Sequence, residues 1–366
     1  MEAMKITTYT MPGKYDGKDC FVHARACALD EKNLLMTMQK LNVDGCDLFS
    51  SLYVLKSADG GETWTEPKSD PAFLAKTDDK GVRTLGCDAT HLFHHKTGVS
   101  LVTGATVSYE EKGLAPVHNA KMGTFYAVWD AEKDCYHPMR VIEMPEEAYP
   151  RGCRAGCAQF LEEENGDLLI PVYIPRGEYF KSAVMRCSFD GEQIRFLEMS
   201  NELTFNLDRG LCEPSITFYR GKYYLTIRND RYGLYSVSED GTHFSEPEIW
   251  KWDSGEDLPT YNTQSHWLVC GGKLYLVYTR RAGNNDHVFR HRAPLFMAEV
   301  DVERMRILRH TEKIVAPERG ARLGNFGVTY VNENCSLVTV AEWMQPVGCE
   351  KYGSDNSVFI TRVEAD

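Results

Sequence analysis

The chain reads as an all-β protein, a six-bladed β-propeller built from four-stranded antiparallel blades. Two observations predict this. An apolar strand, a tight polar turn and a second apolar strand recur six times along the 366 residues. No segment shows the 3.6-residue apolar spacing of a convincing amphipathic helix.

The hairpins run ACALDEKNLLMTM (26–38), HLFHHKTGVSLVTG (91–104) and CAQFLEEENGDLLIPVY (157–173), then SITFYRGKYYLTIR (215–228), HWLVCGGKLYLVYTR (266–280) and VTYVNENCSLVTVAEW (328–343). Their turns centre near Lys32, Thr97, Gly166, Gly221, Gly272 and Asn334, so successive gaps are 65, 69, 55, 51 and 62 residues. Alternating strands around turn residues are hairpins, and hairpins at a near-constant period are propeller blades. A third strand follows each: 52–57, 125–130, 183–188, 234–239, 295–300 and 358–363. The last blade runs out of chain after its third strand. Residues 5–10 (KITTYT) are therefore expected to supply its outer strand and close the ring, making residues 1–366 a single domain. The long inserts 104–123 and 280–293 join second to third strands, so both are expected on the face that carries a site.

Composition narrows the function. The 19 Tyr, 16 Phe and 6 Trp suit strands. A net charge of −12 disfavours a nucleic-acid partner, which needs a basic face to neutralise phosphates. No run of 18 apolar residues exists to span a membrane. The N-terminus lacks an apolar signal core, and the twelve cysteines are scattered without a CxxC pair. The expectation is a cytoplasmic protein with reduced thiols, or a secreted one if a leader has been removed. No metal site and no organic cofactor are expected. Nothing in the pattern speaks to an oligomeric state.

The third strand of the first blade ends in Ser57-Ala58-Asp59-Gly60-Gly61-Glu62-Thr63-Trp64. Asp59 can accept from the turn's own N–H groups, and the glycines tolerate positive φ. Looser copies are Ser238-Glu239-Asp240-Gly241 and Ser188-Phe189-Asp190-Gly191. The motif S-x-D-x-G-x-T-W resembles the Asp-box, or BNR repeat, of the sialidase (neuraminidase) superfamily, whose fold is a six-bladed propeller. It marks the fold and carries no chemistry.

The resemblance also implies a site. Those enzymes clamp a sugar carboxylate with three arginines, use an aspartate as acid/base, and pair a tyrosine nucleophile with a glutamate. Arg25, in His23-Ala24-Arg25-Ala26, matches the first arginine. Asp44 or Asp47, in Val43-Asp44-Gly45-Cys46-Asp47, matches the aspartate. Glu213, in Gly210-Leu211-Cys212-Glu213-Pro214, matches the glutamate, and Arg228 fifteen residues later the second arginine. Arg292 matches the third, with Arg280, Arg281 and Arg290 nearby. The tyrosine position falls on Asn325 or Phe326, neither of which can attack a glycosidic carbon, so this is a divergent member without the usual nucleophile.

Each residue also has a plainer reading. Arg25 either forms an ion pair inside the propeller or faces a ligand from the axis. Glu213 either orients an arginine or takes part in catalysis. Asp44 and Asp47 are either solvated turn residues or acids whose pKa must be raised by burial or a like charge. His23, His91 and His266 lie on inner strands, as core residues or as groups that bind substrate or move protons.

The function these residues imply is hydrolysis of a terminal acidic sugar, sialic acid or a carboxylated relative. Arg25, Arg228 and Arg292 would hold the carboxylate, and the partner would be a small acidic saccharide or glycan terminus. One alternative is a propeller lyase or histidine-dependent glycosidase acting on uronic-acid glycans. Another is a lectin-like propeller that binds an acidic sugar without turnover.

Overall fold

The computed structural model describes residues 4–365. Six antiparallel sheets form the blades. Blade 1 holds Asp19–Ala28, Leu34–Asn42, Leu48–Ser57 and Lys68–Ser69. Blade 2 holds Arg83–His94, Val99–Tyr109 and Thr124–Asp130. Two short strands, Cys135–Tyr136 and Arg140–Val141, share its outer position, and Lys76–Thr77 pairs with its inner strand. Blade 3 holds Leu161–Glu162, Leu168–Arg176, Tyr179–Phe189 and Ile194–Met199. Blade 4 holds Cys212–Tyr219, Lys222–Arg228, Gly233–Ser238 and Glu248–Ile249. Blade 5 holds His266–Cys270, Lys273–Tyr278 and Leu295–Asp301, with Arg306–Ile307 and Lys313–Ala316 outside. Among the described residues, helix is limited to four short 3-10 turns.

Blade 6 contains Gly327–Asn332, Cys335–Ala341 and Val358–Glu364, and its outer strand is Lys5–Met11. The pairing runs antiparallel from Lys5 opposite Glu364 to Met11 opposite Val358, as the strand count requires. It covers an edge of unpaired N–H and C=O groups that would otherwise template aggregation.

Each seam between neighbouring blades is filled by apolar side chains from both. Leu101 and Val128 of blade 2 meet Ile170 and Met185 of blade 3. Ile216 and Leu225 of blade 4 meet Leu169 and Val184 of blade 3. Ala24 and Met36 of blade 1 meet Ala341 and Ile360 of blade 6. Both faces of an interior blade are therefore buried, which is why the inner hairpins are apolar with little alternation.

The inner strands cannot pair with one another across the axis, and side chains do this work instead. Thr329 and Thr339 of blade 6 donate to the carbonyls of Ala26 and Ala24, at 2.7 and 2.8 Å. Gln159 both accepts from the N–H of Trp267 at 2.8 Å and donates to its carbonyl at 2.9 Å.

The Ser57–Trp64 turn is closed by its own side chains. Ser57 Oγ accepts from the N–H of Gly61 at 2.9 Å, Asp59 Oδ1 accepts from the N–H of Thr63 at 3.0 Å, and Trp64 Nε1 donates to the Gly61 carbonyl at 3.0 Å. Hydrogen bonds from the Thr63 hydroxyl and N–H lower the Asp59 pKa from 3.8 to about 2. Its folded pKa lies below the unfolded one, so its stabilisation is present above pH 3.8 and lost as pH falls through about 2. Urea midpoints of wild type and Asp59→Ala should differ fully at pH 5 and converge toward pH 2. A gap that stayed constant with pH would remove the charge of Asp59 from the turn's stability.

Candidate functional site

In blades 1 to 4 the chain adopts a left-handed backbone near the axis at a residue other than glycine. These residues are His23, Asp88, Cys157 and Glu213, with φ of 56°, 57°, 58° and 46°. In three of the blades the strand register slips there, between Val22 and Arg25, Cys87 and Thr90, and Cys212 and Ser215. Such bulges re-aim one side chain, and these four converge. His23 Nε2 lies 3.2 Å from Asp88 Oδ1. Asn325 of the blade 6 approach places its amide nitrogen 3.1 Å from His23 Nε2 and 3.7 Å from Cys157 Sγ.

Above this ring opens a cavity of about 440 Å³. Six arginines line it: Arg154, Arg209, Arg228, Arg290, Arg292 and Arg322. Only four carboxylates, Asp47, Asp88, Glu213 and Asp230, face them. The pocket is thus cationic inside a protein of net charge −12. Pro116 of the 104–123 insert and Arg290 and Arg292 of the 280–293 insert lie on its wall, so both long inserts reach the site face.

Two of the arginines are paired. Arg228 Nη1 donates to Glu213 Oε1 at 2.5 Å, and Arg209 Nη2 donates to Asp230 Oδ1 at 2.8 Å. Two more are held by neutral groups. Arg292 donates to the Asn262 carbonyl and, at 3.3 Å, to Asn325 Oδ1. Arg322 stacks 4.0 Å over the Trp343 ring and donates to Gln345 Oε1 at 3.2 Å. Burial first, then the charges of Arg228 and Arg322, push Arg292 well below the ordinary guanidinium range. Burial likewise brings Arg322 down to about 10. Buried Nε atoms of Arg154, Arg228 and Arg322 and Oε2 of Glu213 have no hydrogen-bond partner. Crowded, under-bonded cations of this kind are relieved by an anion with several oxygens.

The carboxyls fall into two sets. Asp47 is exposed at the cavity mouth, and the protein packed around it together with the neighbouring Asp88 raises its pKa. Burial also raises Asp88, against the charge of Arg25. Burial would raise Glu213 too, but the charge and hydrogen bond of Arg228 outweigh it and hold Glu213 below the usual range.

The structure brings Asp47, Glu213, Arg228, Arg292 and Asn325 together at the cavity, with His23 directly beneath. Four other sequence candidates lie elsewhere. Asp44 is exposed outside the cavity, its N–H bonded to Asn42 Oδ1. Arg25 is buried below the floor, because the bulge at His23 turns it inward. It donates to the Phe326 carbonyl at 2.9 Å, the Ala89 carbonyl at 3.0 Å and Cys157 Sγ at 3.1 Å, without lining the cavity. His91 lines a second cavity of about 920 Å³ at the other end of the inner strands, with Thr37 and Tyr136 as partners. Burial lowers its pKa to about 3. His266 is sealed between Ser215 and the Phe326 ring.

Sequence reading missed Asp88, Arg154, Tyr173, Arg209 and Arg322. A signal for part of this exists. His23-Ala24, Asp88-Ala89, Cys157-Ala158 and Glu213-Pro214 are each a polar residue followed by a small or rigid one, the first two midway along an inner strand, Cys157 just ahead of Leu161–Glu162 and Glu213 at the start of Cys212–Tyr219. Of the tyrosines, Tyr173 lines the axial cavity, Tyr261 borders a neighbouring depression with Tyr232 and Arg281, and Tyr330 faces the opposite cavity.

No protein-family model and no curated protein matches the chain. Solved structures do. A protein of unknown function from Dyadobacter fermentans is 14% identical, with 99% of each chain covered and a TM-score of 0.68. The Trypanosoma rangeli sialidase in complex with the inhibitor DANA is 15% identical at a TM-score of 0.61, with 99% of this chain covering 60% of that one. The NanB sialidase of Streptococcus pneumoniae is 11% identical at a TM-score of 0.65, with 95% of this chain covering 69% of that one. The chain thus spans about three-fifths of the trypanosomal enzyme's length. At these identities the likeness is one of architecture: the protein has the six-bladed propeller fold that these sialidases have.

Proposed function

We propose that the protein is a glycoside hydrolase that removes a terminal acidic sugar. The observation that carries this reading is the cavity of six arginines against four carboxylates. Arg292, bonded only to neutral oxygens, and Arg322, whose Nε has no partner, would take the sugar carboxylate together with Arg228. A bidentate guanidinium–carboxylate contact selects such a sugar over a neutral one.

The split among the carboxyls supports an acid/base division. Asp47, exposed at the cavity mouth and raised by the protein around it and by Asp88, would protonate the leaving oxygen. Glu213, kept ionised by Arg228, would act as base through its unbonded Oε2. Asn325 occupies the approach of blade 6, where the sialidase resemblance expects a tyrosine. Water activated by Glu213 is therefore the attacking group, and the anomeric centre inverts.

A panel of aryl glycosides of sialic and uronic acids tests the reading. One acidic glycoside should be cleaved, its neutral counterpart should not, and the first-formed product should be the inverted anomer. The rate should rise with pH as Glu213 ionises, below the ordinary glutamate range, and fall as Asp47 ionises, above the ordinary aspartate range. In Asp47→Asn the falling limb should vanish. An unsaturated product would assign the site to a lyase instead, and tight binding without turnover to a lectin.

A further inference from the structure

The ring beneath the cavity holds a donor set from which the proposed sugar chemistry draws only the charge of Asp88 beside Asp47. His23, Asp88 and Cys157 come from three consecutive blades, and one ligand atom of each lies within 4.8 Å of the other two. His23 and Cys157 are buried, each 1% exposed, while Asp88 also lines the cavity. We propose that His23 Nε2, an Asp88 carboxylate oxygen and Cys157 Sγ bind one divalent transition-metal ion of the zinc class at the cavity floor.

Three features carry this. The first is spacing. Nitrogen and oxygen ligands about 2.0–2.2 Å from a tetrahedral zinc stand roughly 3.3–3.6 Å apart. The 3.2 Å between His23 Nε2 and Asp88 Oδ1 is close to that edge. The second is the donor set, since one imidazole, one carboxylate and one thiol suit a borderline ion better than calcium or magnesium. The third is the surroundings. Arg25 donates an N–H to Cys157 Sγ at 3.1 Å, an outer hydrogen bond that favours the thiolate. His23 Nδ1 is buried without a partner, while Nε2 lies 3.1 Å from Asn325 Nδ2 and 3.2 Å from Asp88 Oδ1, so coordination through Nε2 would displace the Asn325 contact. Three protein ligands would leave a fourth position for a water, and Asp88 lines the cavity from which that water would come. This site differs from the sequence expectation of no metal, and it stands whichever sugar the cavity takes.

The test uses the full chain, stripped with a chelator and dialysed against zinc chloride, with bound metal counted by mass spectrometry. Wild type should retain one equivalent, and Cys157→Ser and Asp88→Asn should each weaken zinc binding about 100-fold or more. A thiol binds a metal as the thiolate, so uptake should release a proton and weaken as pH falls. Cobalt loaded into the wild type should give a thiolate-to-cobalt absorption band, which reads the cysteine ligand without any substitution. Absence of the band, no retained zinc in the wild type, or equal retention in folded variants would each overturn the site. One equivalent of zinc in a protein inactive on every glycoside would sink the hydrolase reading and leave the metal site standing.

Discussion

Glu213→Gln should lower kcat by about 10² to 10⁴-fold, the usual contribution of a positioned general base, while acidic-sugar binding changes only a few-fold. The amide keeps an oxygen for the 2.5 Å bond from Arg228 but cannot take a proton from water. Arg228→Ala should act in the opposite sense on binding. It removes a charged donor from the cavity and weakens binding by about 1.5–3 kcal/mol. It also leaves the Glu213 carboxylate without its cation, so its kcat should fall as well. Calorimetric titration with the product sugar and single-turnover rates separate the two effects. Wild-type turnover in Glu213→Gln would reduce Glu213 to a residue that orients Arg228. A fluorinated sugar trap completes the comparison, because an inverting route leaves no adduct. A covalent label on Tyr173, the tyrosine in the cavity wall, would replace inversion with retention through a nucleophile on another blade.

Arg25→Met should destabilise the fold by about 2–6 kcal/mol, since the Phe326 and Ala89 carbonyls would each lose a donor at roughly 1–3 kcal/mol. Arg25→Lys should not rescue it. One ammonium cannot reach an oxygen in blade 2, an oxygen beside blade 6 and the Cys157 sulfur in three directions as the planar guanidinium does. Urea midpoints at unchanged m value measure this. Sugar binding by the folded fraction should stay within a few-fold of wild type. A variant as stable as wild type that had lost its acidic-sugar affinity would return Arg25 to the role of carboxylate ligand.

Much of the architecture was legible in the sequence because each blade repeats the same local physics. Turn residues at Lys32, Gly221 and Gly272 punctuate apolar strands, and hairpins form locally whatever lies across the ring. Closure by Lys5–Met11 followed from counting strands, since a blade with an open edge is unfavourable. The Glu213–Arg228 pair was legible for a similar reason. The two residues start and end one hairpin, with Arg228 opposite Cys212 in the ladder, so their spacing alone brings them together.

The rest of the site depends on distances between blades, which no local pattern encodes. A strand alternates its side chains with period two, so an inserted bulge exchanges the residues that face the axis for those that do not. The bulge at His23 therefore turns that histidine to the cavity floor and sends Arg25, two residues on, into the interior. Asp88 follows the same rule in blade 2, while Cys157 reaches the axis from a left-handed turn ahead of the blade 3 inner strand. Arg154, Arg209 and Arg322 come from segments outside the inner hairpins, and only the closed ring brings them to one cavity. What the sequence alone determined was the repeating hairpin, the closing strand and the pairing of Glu213 with Arg228 at the two ends of one hairpin. Which polar side chains share the axis was decided by the tertiary structure, because bulges and ring closure set facing and proximity, and neither is a property of any single strand.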